Sequence, residues 1–590
     1  MKPISVGISD FAELVRDGYY YIDKSMLIKD VIMDAKCVLM PRPRRFGKSL
    51  NMSMLKYFFQ KPIKENRKAF PDYRYLFKGL KIAKDPCFKK HQGKYPVIYF
   101  SFLDIKCNTF EETFEKIKQL IINEYKKHIY LRQGDFLNEY DKKDFDEIVK
   151  GKASKVMYEY SLTKLMEYLE RYHNKQVIII VDEYDTPINS LYVSYQKAKQ
   201  ELDDNDVKEE EGRLRKLMNQ SKDDYNNIIN FTRNLFIAAL KDNPNLSKGI
   251  LTGIFRISKE SIFTGLNNLE VHSLIDPHKM EDKFGFTEEE VHKMLDDYNL
   301  SDKKEEVRDW YDGYKFGKTE IYNPWSILEY IKNNEKGFKI YWANTSDNQL
   351  IKKTIKNAEE DASVDLARII NKEEVLKEIN EHVVFEEMYQ ESGIWSFLVA
   401  AGYLKAEKIN EDDYRLSVPN REIQKLYEMV IKEWVKPTSE VTMHLLNYLL
   451  QDQREKFEKG LRKRVEDIFS IYDIAKEKRD NESKTPERVY HAFMIGLLSF
   501  IQDTHLIRSN RESGKGRYDL MIMPIDKNKK GIIIEIKSIG DEDDHEEELE
   551  EALNQIEDKK YDQELKSQGV IDIVKLAIVF CGKQLWLRYA

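Results

Sequence analysis

Cysteine is scarce in this sequence: four in 590 residues (Cys37, Cys87, Cys107 and Cys581), with no CxxC pair and no metal-ligand rhythm. That excludes a disulfide-stapled secreted scaffold and a zinc ribbon, and the thiols read as reduced in a cytoplasmic protein. No apolar run approaches the ~18–20 residues a membrane span needs, and the opening MKPISVGISDF lacks the apolar core of a signal peptide. Neither charge dominates: 96 Lys and Arg stand against 103 Asp and Glu, a net of −7. A histone-like polycation is excluded, but a local basic groove is not. What is present is 41% apolar residues, enough for real cores, over a length that suggests several domains.

The first third alternates helical and strand patterns. KCVLM (36–40), YPVIYFSF (95–102), VIIIV (177–181) and GILTGIF (249–255) read as buried strands of an α/β layered domain. Residues 198–225 are almost all polar and read as a solvated excursion, helical or mobile, whose bland reading is a surface hairpin. From 271 to 345 the pattern is helical with aromatic clusters. Residues 393–434 run helix, strand, strand, helix, compatible with a winged-helix-like module. The last unit reads helix, strand, strand, helix, strand. The expected organisation is an α/β multidomain chain with segments 1–270, 271–345, 346–470 and 471–590.

Arg42-Pro43-Arg44-Arg45-Phe46-Gly47-Lys48-Ser49-Leu50 lies between a strand and a helix, the context a phosphate-binding loop requires. Gly47 permits close backbone approach, Lys48 can reach phosphate oxygens, and the Ser49 hydroxyl can ligate Mg²⁺. Arg42 stands where the usual motif begins with glycine, and Pro43 lacks an N–H, so part of the cradle must be built differently. The loop gains weight from the apolar run ending in Asp182-Glu183. That ending puts two carboxylates at the carboxyl end of a buried strand, Asp182 for Mg²⁺ and Glu183 to orient an attacking water. Thr252 and Arg256, at the end of a neighbouring strand, are candidates to sense the terminal phosphate. Arg45, Phe46 and Leu50 complete the expected ATP-binding set.

Near the C-terminus, antiparallel pairing about residue 527 sets Asp519 opposite Glu535, while Glu535 and Lys537 share a face. Two carboxylates and an amine in otherwise apolar strands are costly unless a cation joins them, and hard oxygens with retained waters suit Mg²⁺. Upstream, Thr485-Pro486-Glu487 is a helix start, with Glu487 and His491 on one face beside Tyr490. Glu487 is a candidate third carboxylate; Tyr490, His491, Gln555 and Tyr561 are candidate accessory residues. Nine of the eleven residues Asp541–Glu551 are acidic, which opposes a polyanion nearby and reads as a solvated helix face. Leu461–Arg464 and Lys476–Arg479 are basic segments able to meet phosphates.

YYYIDKS (19–25), RPRRFGKS (42–49), VIIIVDEYD (177–185) and TGIFRISKESIFTGLNNL (252–269) resemble the bacterial AAA-ATPase-like family. WYDGY (310–314) and YNPWS (322–326) fit it too. ERVYHAFMIGLL (487–498) with Asp519 and Glu535-Ile536-Lys537 resembles the PD-(D/E)XK nuclease superfamily, although Tyr518 and not proline precedes the aspartate. The resemblance implies a P-loop fold with bound ATP, arginine being the family's own residue at position 42. It also implies a restriction-endonuclease-like C-terminal sheet, and it admits a homo-oligomer. The expectation is an ATPase coupled to a Mg²⁺-dependent nuclease acting on nucleic acid, DNA by analogy of fold, with no membrane partner. The rival readings are a nucleotide-dependent switch that binds partners without cutting, and a scaffold whose two sites have decayed.

Overall fold

The computed structural model describes residues 1–590 except 64–69, 134–136, 204–207, 256–262, 264–265, 267, 277–279, 343–364, 367, 370–373, 381–390, 411–412, 435–438, 473–486, 502–503, 514–515, 540–543 and 582–583. The chain forms two compact units. The first comprises Met1–Asn348, Lys377–Tyr414 and Pro419–Glu422; the second comprises Gln349–Leu376, Arg415–Val418 and Ile423–Ala590.

The first unit is built on five parallel strands: β1 (Cys37–Pro41), β2 (Val97–Ser101), β3 (Val177–Asp182), β4 (Leu246–Gly253) and β5 (Leu269–Val271). Their spatial order is β2-β3-β4-β1-β5. β1 and β3 are buried along their whole length, which is why they read as unbroken apolar runs. Parallel register brings Pro41, Ser101, Asp182 and Gly253 to one edge of the sheet, where ligands of open α/β sheets sit. β5 straddles residue 270 and pairs with β1 through Cys37↔Leu269 to Leu39↔Val271.

Helix α1 (Lys48–Phe59) follows β1 directly. The polar excursion is helical: α2 (Thr186–Asp203) and α3 (Lys208–Leu240) pack on each other, with the Tyr192 and Tyr225 rings 5.2 Å apart. The aromatic clusters of 310–342 form a core of their own. Tyr311, Tyr322, Tyr330 and Tyr341 pack with Val291, Met294 and Ile327, and Ile4, Tyr20 and Ile22 from the N-terminal segment cover them. Within that region lies α4 (Pro324–Lys332), capped by the Asn323 side chain. The helix–strand–strand–helix order of 391–434 is present, ending in α5 (Arg421–Trp434).

The second unit holds a five-stranded mixed sheet: β6 (His505–Ser513), β7 (Gly516–Pro524), β8 (Gly531–Ser538), β9 (Ile573–Cys581) and β10 (Gln584–Tyr589), in that spatial order. Only β8 and β9 run parallel. One face, with Leu520, Ile522, Ile534 and Ile578, packs on Tyr490 and Met494 of α6 (Glu487–Leu498). The other, with Met521, Met523 and Ile533, packs on Ile556 of α7 (His545–Asp558) and on Tyr561. No helix among the described residues is long and apolar enough to cross a membrane.

Packing in the first sheet is close at Gly249. A Cβ there would stand 2.8 Å from Leu240 Cδ2 and 3.1 Å from Cys37 Sγ. Gly249→Val should destabilise the unit by about 1–3 kcal/mol through overpacking, measured by urea unfolding.

Candidate functional site

The loop between β1 and α1 turns on backbone that most residues avoid. Gly47, the N-cap of α1, has φ 82°, and Arg45 has φ 70°. A short loop with two left-handed residues leads into the N-terminus of α1, whose first N–H groups have no partners within the helix and suit an anion.

Its four basic residues take four different positions. Arg42 is completely buried and does not face the loop's mouth. Its guanidinium donates to the carbonyls of Pro41 (2.7 Å), His272 (2.6 Å), Ser273 (3.3 Å) and Met280 (3.4 Å), and lies by the rings of Phe284 and Phe316. Desolvation lowers its pKa to about 9. The residue at the usual glycine position is therefore a strut that ties the loop to the segment after β5. The Arg44 carbonyl accepts the Trp342 indole N–H at 3.3 Å. Arg45 stacks on Trp325, 3.5 Å from the ring centroid. Lys48, almost fully buried, donates to the Arg42 and Pro43 carbonyls (3.0 and 3.1 Å) and pairs with Glu183 Oε1 at 3.0 Å.

Glu183 sits just past β3 at φ 53°, so the strand end is strained where it meets the lysine. Asp182 is fully buried; its Oδ1 has no hydrogen-bond partner, Ser101 Oγ lies 3.4 Å from Oδ2, and the nearby Ser49 hydroxyl favours the ionised acid. Burial, then the charge of Glu183, pushes Asp182 up to about 6. Thr252 is buried near the end of β4 and spends its hydroxyl on the Met40 carbonyl at 2.9 Å. Phe46 is a core residue, its ring 5.0 Å from Tyr314 and 5.3 Å from Phe316, and Leu50 is half-buried on α1. Arg256 lies outside the described residues.

Two site residues escaped the sequence reading. Asp185 accepts the Ile254 and Phe255 N–H groups (2.8 and 3.0 Å) through Oδ2, leaving Oδ1 buried and unpartnered. Burial and Glu183 raise it to about 6. A Cβ at Gly253 would fall 2.6 Å from Asp185 Oδ1, so glycine is required there. The second aspartate of DEYD was the available signal. Glu422, at the start of α5, is fully buried and accepts the Tyr341 and Trp342 N–H groups (both 2.6 Å) and the Ser326 hydroxyl (2.7 Å). It thereby holds both residues next to the aromatic rings that touch the phosphate loop. Its partners lie 80 to 96 positions away, so nothing local marked it.

In the second unit the ladder Leu520↔Ile534 to Ile522↔Ile532 makes Asp519 and Glu535 the next pair in register. Asp519 Oδ2 accepts the Ile536 N–H at 2.8 Å, and burial raises its pKa against the pull of that bond and of His491 and Lys537. Glu535 is 2% exposed and accepts the Gln555 amide N–H; the Gln555 carbonyl in turn accepts Lys537 Nζ at 3.0 Å. The Gln555 amide also donates to Tyr561 Oη at 3.3 Å. Tyr561 feels the charges of Glu535, Asp519 and Lys537, and burial raises its pKa. The structure thus brings Glu535, Lys537, Gln555 and Tyr561 together beside Asp519. His491 approaches from behind, its Nε2 3.0 Å from the Asp519 carbonyl. Tyr490 lies on the opposite face, stacked on Phe580 at 4.1 Å. The helix starts at Glu487, whose side chain lies outside the description, as do Lys476–Arg479 and the first residues of the acidic run. Among the described residues no three His, Cys, Asp or Glu side chains group as a metal cage.

A phosphate loop beside a strand-end acid pair, and a hairpin with two carboxylates and a lysine, define the class on each unit. Residues 5–263 match the family model described as a predicted AAA-ATPase (AAA-ATPase-like), and residues 485–589 match that of the PD-(D/E)XK nuclease superfamily. The chain therefore carries an AAA-ATPase-like domain followed by a PD-(D/E)XK nuclease superfamily domain. It is also 24% identical over 346 residues to an uncharacterized protein in the vnfD 5′ region of Azotobacter chroococcum mcd 1. That alignment covers 58% of this chain and 54% of the relative, so the chain spans about half of that protein's length. No solved structure matches.

Burial pushes Glu422 from an ordinary 4.5 up to about 7. A carboxyl that holds its proton more tightly in the folded chain stabilises the fold while protonated, and that contribution fades as pH rises from 4.5 through about 7. Relative to Glu422→Gln, the wild type should lose up to about 3 kcal/mol between pH 5 and 8, measured by urea unfolding at both pH values.

Proposed function

We propose that the first unit binds and hydrolyses ATP with Mg²⁺, and that the second cleaves phosphodiester bonds in nucleic acid, DNA by analogy of fold. The observation that carries this reading is the meeting of Glu535 and Lys537 at Gln555, with Asp519 next in register.

The side chains present fit the cofactors. Ser49 and Asp182 are a hard-oxygen pair, and the unpartnered Asp182 Oδ1 is an acceptor that a cation or its water satisfies. Asp519 and Glu535 are the two carboxylates that, with retained waters, suit Mg²⁺ in the second unit. Bound Mg²⁺ supplies Lewis-acid polarisation of phosphoryl oxygens and a water acidic enough to be deprotonated near neutral pH.

The chain's own groups do the rest. Lys48 exchanges the Glu183 carboxylate for phosphate oxygens, and the first N–H groups of α1 bind them too. Glu183, released from the lysine, orients the attacking water and accepts its proton. In the second unit Lys537 neutralises charge that develops on the scissile phosphate. Gln555 holds Lys537 and Glu535 in place, and Tyr561 excludes water from their far side.

A cleavage panel of single-stranded DNA, double-stranded DNA and RNA, with Mg²⁺ and with ATP, a non-hydrolysable analogue or no nucleotide, tests the reading. Wild type should cut DNA. Glu535→Gln and Lys537→Ala should each lower cleavage at least about 100-fold while ATP binding persists. Lys48→Ala should lose ATP binding. Absence of cutting by wild type with Mg²⁺ or Mn²⁺, with and without ATP, overturns the nuclease half and leaves a nucleotide-dependent binding switch.

Glu183→Gln separates binding from hydrolysis. It should retain or tighten nucleotide binding, because Lys48 is no longer held by a carboxylate, while hydrolysis falls about 100-fold or more. Phosphate release and nucleotide titration read the two effects.

A further inference from the structure

The aromatic motif YNPWS is not absorbed by the phosphate chemistry, yet one of its rings touches the phosphate loop. Trp325 is the second residue of α4, half-buried, and its face carries the Arg45 guanidinium at 3.5 Å from the ring centroid. Arg45 stands two residues before Gly47 in left-handed backbone. Along the ring's edge runs the N-terminal segment. Gly7 has φ 90°, and a Cβ there would lie 3.6 Å from Trp325 Cζ3 and 3.8 Å from Cη2. The ring is therefore set between the phosphate loop and the start of the chain.

Its surroundings are incomplete. The Trp325 indole N–H is buried with no hydrogen-bond partner, and so is Nδ2 of the neighbouring Asn323, whose other side-chain atom caps α4. The other tryptophan at the loop, Trp342, has its N–H satisfied by the Arg44 carbonyl. A buried donor without an acceptor is costly.

We propose that Trp325 is the base platform of the nucleotide site: a purine stacks on the ring face that Arg45 covers, and the displaced guanidinium turns to the phosphates. This rests on the reading of the first unit as nucleotide-binding. Both halves of the exchange are favourable. Base–aromatic stacking is at least as strong as an exposed cation–π contact. A guanidinium leaving an aromatic face gains charge-assisted, two-pronged hydrogen bonds on phosphate. Arg45 would thus report the presence of a base to the loop that grips the triphosphate.

The test is equilibrium binding of MgATP and of Mg-tripolyphosphate, which has no base, to the full chain as wild type, Trp325→Phe and Trp325→Leu. Wild type should prefer ATP. Trp325→Leu should weaken ATP about 5- to 150-fold while leaving tripolyphosphate binding at least as tight, and Trp325→Phe should restore most of the ATP affinity. Tryptophan fluorescence of the wild type should respond more to ATP than to tripolyphosphate. Unchanged ATP affinity in Trp325→Leu overturns the proposal, and so does equal loss of both ligands, which makes Trp325 a structural prop. If wild type binds neither ligand, the nucleotide reading itself fails and the platform falls with it.

Discussion

The Lys48 ammonium has been taken out of water, and the strand-end edge of the first unit is built around satisfying it. An isolated buried amine is costly, so its partners are fixed: two carbonyls of its own loop and Glu183 at the end of β3. That pairing joins the ends of β1 and β3 across β4. Asp182 and Asp185 lie beside that pair, and burial first, then the charge of Glu183, pushes both up to about 6.

The same economy governs the second unit. Glu535 and Lys537 do not pair directly; Gln555 stands between them, taking a proton bond from one and giving one to the other. Asp519 uses a strand N–H in place of a side-chain donor. Each charged group keeps a modest partner that a cation or a phosphate can outbid. Neither arrangement strengthens the fold as a hydrophobic replacement would, which favours a chemical role over a structural one.

Much of this was legible in the linear chain, for physical reasons. Buried parallel strands must be apolar throughout, so VIIIV ending in Asp182-Glu183 marked a strand and its carboxyl end together. Hairpin register follows from a turn position, so the antiparallel ladder that ends at Leu520↔Ile534, one step short of Asp519 and Glu535, could be counted in the chain. What stayed hidden depends on long-range geometry. Arg42 looked like a missing glycine and is a strut, because its acceptors come from residues 272, 273 and 280. Nothing local marked Glu422, whose partners lie 80 to 96 positions away, and Arg45 gave no sign of its tryptophan. The helices of 186–240 resolve a polar stretch that composition alone left open between helix and coil.

The most direct test of the account is to count bound Mn²⁺ by electron paramagnetic resonance on the full chain, with a non-hydrolysable ATP analogue present. Two carboxylate-held cation sites are required, one on each unit. The account predicts about two ions per chain, one lost on omitting the analogue or in Asp182→Asn, the other lost in Glu535→Gln. Binding that is indifferent to Glu535 would contradict the metal-dependent hairpin on which the nuclease reading stands.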